Sequence, residues 1–110
     1  ISVHAQNAEP VNYVCNGTGH FSSFTLKAEI LRTNFGLVVA TIVAPHWNVK
    51  AMSSMINDTH ILPDGVYLDF DSNGKLLRVL REVISRRSGD ADHYDPRVDR
   101  YRRYKNCQIQ

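Results

Sequence analysis

His46 and Trp47 stand side by side behind Pro45, an imidazole next to an indole, two flat rings that can stack on a flat ligand. Stacking of a nucleobase on such rings contributes about 1–3 kcal/mol per base, so the pair could line a base-binding cleft. The plainer role puts Trp47 in the core or at its rim and leaves His46 as polar surface. Asp58 offers a carboxylate that could cap its own backbone in a loop. Near the C-terminus, Arg97, Arg100, Tyr101, Arg102, Arg103, Tyr104 and Lys105 interleave cations with aromatic rings, the composition of a sequence-tolerant RNA or phosphate surface. If 101–107 is an extended strand, alternation puts Tyr101, Arg103 and Lys105 on one face and Arg102 and Tyr104 on the other, which divides that surface. His20, His60 and His93 with Asp90, Asp92 and Asp95 match no ordered ligand set, so neither a metal nor a cofactor is assigned.

What must hold these groups is one small unit. The chain has 110 residues, enough for one domain and one core, and its two cysteines lie near opposite ends, at Cys15 and Cys107. A single disulfide is the simplest pairing, with two unrelated buried thiols as the alternative. In the chain-entropy view such a bridge removes about 4–5 kcal/mol of unfolded-state freedom. It also implies an oxidising route. The chain opens ISVHAQ, with neither a basic segment nor an apolar run, so we expect a mature secreted form from which a signal peptide has been removed. No apolar stretch approaches the roughly 20 residues of a membrane-spanning helix.

Net charge is +2 but unevenly placed: residues 1–74 hold three Lys/Arg against six Asp/Glu, and residues 75–110 hold ten against five. The basic C-terminal third suits an anionic partner, although a merely solvated basic face is the commoner cause.

Along the chain, residues 1–10 form a polar arm and 11–110 the domain. Val11 to Cys15 suggests a strand. Ser22 and Ser23 can cap a helix, and Phe24, Ala28 and Leu31 fall on one helical face, which predicts a helix over 23–33 ended by Asn34 and Gly36. Residues 37–43 are nearly all apolar and β-branched, as in a strand buried on both faces at the centre of a sheet. Residues 46–60 look like a polar connection. Residues 66–71 alternate, Ser72-Asn73-Gly74 is a turn, and a hairpin with 75–84 follows, though Leu76, Leu77, Val79, Leu80, Val83 and Ile84 fit a helical stripe better than strict alternation. Residues 86–100 form a long charged loop. The sum is an α+β fold, one α-helix packed on an antiparallel β-sheet.

The order Tyr13-x-Cys15, serine-capped helix, apolar strand, Pro45-His46-Trp47, Ile61-Leu62, hairpin and final cysteine resembles the fungal ribonucleases of the T1 and F1 type over about residues 11–107. The resemblance implies a Cys15–Cys107 bridge, a strand for 75–84, and a catalytic set in which His46 takes the Pro-His position and Asp58 the place of the glutamate base. It also implies a failed set. Tyr67 stands where the arginine that steadies the phosphoryl group is expected, and Glu82 near the place of the histidine acid. Loss of that cation alone removes about 3–4 kcal/mol of transition-state stabilisation.

A ribonuclease-like framework without its catalytic set is similar to the secreted effectors of powdery mildew fungi. That likeness implies a secreted pseudo-ribonuclease delivered into plant host cells, without nuclease activity and in some members recognised by nucleotide-binding leucine-rich-repeat immune receptors; we expect a monomer that binds host proteins and could also bind RNA through its basic C-terminal third. Loops 44–60 and 86–100 would be its contact surfaces. The alternatives are an active guanyl-preferring ribonuclease using His46 with Asp58 or Glu82, and a toxin or inhibitor domain of another kind.

Overall fold

A computed structural model describes residues 9–82 and 101–110. Its nine strands, all paired antiparallel, form one sheet in the order β4-β3-β2-β1-β9-β8-β7-β6-β5, curled into a nearly closed barrel. They are β1 Val11–Gly17, β2 Thr25–Arg32, β3 Val38–Val43, β4 Asn48–Met52, β5 Ser54–Ile56, β6 Thr59–Leu62, β7 Val66–Phe70, β8 Leu76–Glu82 and β9 Tyr101–Ile109. The expected polar arm, apart from its last two residues, and the charged loop 86–100 lie outside the described residues.

The α+β expectation is overturned. Residues 23–33 form no helix; Thr25–Arg32 is β2. Leu26, Ala28 and Ile30 point inward and are buried, while Thr25, Lys27 and Glu29 point out. This strict two-residue alternation outcompetes the helical spacing of Phe24, Ala28 and Leu31, because a barrel wall has one dry face and one wet face. The same geometry corrects two further expectations. β3 buries only Val38, Ala40 and Ile42, leaving Val43 exposed, and it lies second from the sheet edge rather than at its centre. The expected connection 46–60 contains β4 and β5 and enters β6, with Val49 buried.

The centre is held by the strands nearest the two chain ends. β1 and β9 are neighbours, joined by the disulfide Cys15–Cys107, both cysteines buried in the core. Around them pack Leu26, Ile42, Leu68, Leu76, Val38, Val66, Val79 and Tyr104, all fully buried. Each large aliphatic side chain so buried stabilises the fold by about 1.5–3 kcal/mol before the entropic cost of ordering it.

The hairpin of 66–71 with 75–84 is present as β7 and β8, the strand that the resemblance favoured for the second arm. A bulge explains the misleading stripe. Asp69 pairs with Arg78 and Phe70 with Leu76, so Leu77 is an extra residue and the inward set becomes Leu76, Val79 and Arg81. β9 carries a second bulge opposite Cys15, where Asn106 adopts φ 53°, and its inward residues are Arg102, Tyr104 and Cys107.

β4 and β5 close the barrel as one bent stretch. Its first part pairs with β3 and its last part with β6, and Ser53 is the corner between them. The Ser53 amide donates to Val38 O at 2.7 Å, extending the β3–β4 ladder by one bond.

Candidate functional site

Three connections meet at one end of the barrel: residues 18–24 between β1 and β2, 44–47 between β3 and β4, and 63–65 between β6 and β7. β8 also ends and β9 begins there, which brings Arg81 and Arg102 to this rim as register partners on the inner face. Two cations directly opposite one another repel. Neither has a carboxylate partner among the described residues; the one ion pair within them is Arg78 Nε with Asp69 Oδ2 at 3.1 Å, on the outer face.

Aromatic rings take the place of carboxylates. The Arg81 guanidinium carbon lies 4.8 Å from the centre of the Trp47 ring, and that of Arg102 lies 3.9 Å from the centre of the Phe21 ring. Both are cation–π distances, each contributing about 0.5–1 kcal/mol at a partly exposed site. Phe24 packs 5.7 Å from Phe21 and, edge-on, 6.5 Å from His46, so Phe21, Phe24 and His46 form a continuous aromatic row.

Local backbone bonds fix these rings. In the first connection Phe21 N donates to Thr18 O, Phe24 N to Phe21 O, and Gly17 N to Phe24 O, which coils 18–24 tightly over the barrel mouth. The Thr18 hydroxyl donates to Arg103 O at 2.9 Å and ties this coil to β9. A Cβ on Gly17 would lie 2.0 Å from Phe21 O, so only glycine allows the coil so close. In the second connection Ala44 N donates to Trp47 O at 2.9 Å, a tight turn with Pro45 and His46 at its tip. Trp47 turns back toward the core, half-buried against it, while His46 stays exposed.

The sequence-derived site residues separate into those this end collects and those it does not. Trp47, His46 and Arg102 are collected. Arg103 and Lys105 lie on the outer face of β9, as alternation requires, and Tyr104 is in the core, 1% exposed. Arg97 and Arg100 fall outside the described residues, as do His93, Asp90, Asp92 and Asp95; among the described residues no three metal-ligating side chains cluster.

The four positions carried over from the ribonucleases do not all converge: only His46 and Glu82 share an end of the barrel. Asp58 sits in the β5–β6 turn at the opposite end of the barrel from His46. Tyr67 lies on β7 between inward-facing Val66 and Leu68, on the outer side of the wall. Glu82 closes β8, its Cβ against Gly65. Phe21, Phe24 and Arg81 were not anticipated. The signal for Arg81 was present, since it continues the inward set of Leu76 and Val79, but the bulge at Leu77 obscured it.

At the opposite end, His60 is buried, with Ser53 Oγ 2.8 Å from its Nδ1 and the Phe70 ring edge-on at 5.1 Å. Burial, and then the nearby Arg32 guanidinium, lower its pKa. A serine beside a histidine suggests nucleophilic chemistry, but this hydroxyl already accepts the Val38 N–H at 3.0 Å inside the wall, which makes the pair a structural corner.

Comparison with known protein families, characterised proteins and solved structures finds no match to this chain.

Proposed function

We propose that this chain is an exported binding domain that holds an anionic partner, single-stranded RNA, at the arginine–aromatic end of its barrel and does not cleave it. One observation carries the reading: Arg81 and Arg102 face each other across β8 and β9 without a carboxylate partner among the described residues, each laid on an aromatic ring. Like charges kept adjacent oppose folding, and a ligand that supplies negative charge there turns the repulsion into binding energy. The half-exposed rings beside them offer stacking surfaces that accept any base.

Binding rather than turnover is supported by the placement of Asp58 at the opposite end of the barrel from His46 and of Tyr67 on the outer face of the wall. General acid and base groups must both reach the reacting atoms, and residues at opposite ends of a barrel do not. A role as a powdery mildew effector in host plant cells, with host proteins and an immune receptor as further partners, stays within this proposal on the strength of Tyr13-x-Cys15 and the disulfide. The helix that completed the resemblance is absent.

The test is a parallel assay on the oxidised protein, reading both retention and cleavage of a guanine-containing oligoribonucleotide at low and moderate salt. Retention that weakens with salt and with Arg81→Ala or Arg102→Ala, without cleavage, is the expected result. Cleavage that disappears in His46→Ala would replace this proposal with an enzyme.

A further inference from the structure

The buried donors at the arginine end narrow the ligand's chemistry. Among the described residues, three buried side-chain nitrogens lack a hydrogen-bond partner: Trp47 Nε1, Arg78 Nε and Arg81 Nε. Arg78 Nε is compensated by the Asp69 carboxylate beside it. The other two belong to a single stacked pair, Arg81 over Trp47. Both are donors only, since an indole N–H and a guanidinium N–H have no acceptor lone pair. Buried polar groups are normally satisfied, so a pair of orphaned donors indicates a missing acceptor.

Three features define that acceptor. It carries negative charge, because Arg81 and its register partner Arg102 both lack a carboxylate partner among the described residues. It offers several oxygens, because the two unpartnered donors belong to one stacked pair, Arg81 over Trp47, with Arg102 the register partner of Arg81. It reaches the site from solvent, because Arg81, Arg102 and Trp47 are each only partly buried, although the inner nitrogens of Arg81 and Trp47 are covered. A phosphate group meets all three conditions, with oxygens to spare for bidentate contact with a guanidinium.

We infer that Arg81, Arg102 and Trp47 form a phosphate-binding site at the mouth of the barrel, with Arg81 Nε and Trp47 Nε1 as its inner donors. This rests on the proposal that the arginine end binds an anion and assigns the group it recognises. Phe24 and His46, exposed a short way along the aromatic row from Phe21, would take whatever flat group the phosphate carries.

Trp47 is the only tryptophan, so its fluorescence reports this site alone. Three probes are titrated at constant ionic strength: inorganic phosphate, guanosine 5′-monophosphate and a single-stranded oligoribonucleotide, with chloride as the control. The expected result is a saturable change in Trp47 emission with each phosphate-bearing probe and none with chloride, weakened about tenfold or more in Arg81→Gln. Arg102→Gln is read in parallel, in case Arg81→Gln fails to fold. Oligoribonucleotide retained on the protein with Trp47 unmoved would overturn the phosphate site and leave the broader binding proposal standing. A response to inorganic phosphate or the nucleotide without oligoribonucleotide retention would keep the phosphate site, make its ligand a small phosphate compound, and remove the RNA proposal. No response and no retention would remove both.

Discussion

Ser53 Oγ and His60 Nδ1 meet at 2.8 Å inside the barrel wall, where the chain stops pairing with β3 and starts pairing with β6. The same hydroxyl accepts the Val38 N–H, so one serine ties β3, β6 and the corner between β4 and β5 together. Closure of the sheet thus passes through a buried polar knot rather than through a continuous ladder.

Ser53→Ala is expected to destabilise the fold by about 1–3 kcal/mol, the cost of orphaning a buried N–H together with the ring nitrogen. Ser54→Ala, one residue away and exposed, is expected to change stability by less than about 0.5 kcal/mol. Urea denaturation of both variants checks the difference. Equal stabilities would mean that the corner is held by the backbone alone.

His60 makes stability depend on pH with a definite sign. Burial and the Arg32 charge lower its pKa in the folded state, so below its ordinary value of about 6.5 the unfolded chain binds a proton that the folded chain refuses. The contribution of neutral His60 is therefore complete above that value and is lost as pH falls beneath it, until the folded histidine also titrates. Melting temperature is expected to fall between about pH 7 and pH 5.5, and His60→Gln is expected to flatten that interval while lowering stability throughout. A wild-type profile that is flat there would show that the imidazole is hydrated in solution.

Much of this fold was written in local alternation, and what was lost was lost at bulges and at one ambiguous period. Val66, Leu68 and Phe70 gave β7 directly, and the cysteines gave the bridge. β2 satisfied two templates at once: Leu26, Ala28 and Ile30 at a spacing of two, and Phe24, Ala28 and Leu31 at helical spacing. Only the barrel decides between them, because it supplies a dry face for the first set. The inserted Leu77 shifted the face of everything after it, and Asn106 did the same on β9. Trp47 and Arg102 were legible as candidate binders, but their assembly with Arg81 and Phe21 depends on strand order, which no local pattern carries.

Reducing the disulfide is expected to lower stability by about 2–5 kcal/mol. Cys15–Cys107 bridges positions 92 apart, and it joins β1 to β9 beside the bulge, where the ladder between them is interrupted. Urea midpoints with and without reductant measure the effect, and the Cys15→Ser/Cys107→Ser double variant separates it from other reductant effects. A bridge that left the midpoint unchanged would mean that the ladder bonds of β1 and β9 suffice.

Gly17 and Gly19 allow a direct test of how the arginine end is built. A methyl at Gly17 would meet Phe21 O at 2.0 Å, whereas a methyl at Gly19 meets nothing within 4 Å and suffers only from a positive φ of 59°. Gly19→Ala is therefore expected to cost about 1–2 kcal/mol of left-handed strain and to leave the site intact. Gly17→Ala cannot be accommodated in place: the carbonyl it strikes is backbone, so residues 18–24 must lift and carry Phe21 off Arg102. The expected outcome is a further loss of stability together with weaker oligoribonucleotide retention, because the cation–π contact and the aromatic row move with the coil. Measuring both variants for melting temperature and retention separates the two effects. If Gly17→Ala retained RNA as well as Gly19→Ala at matched stability, the coil over the mouth would have no part in binding.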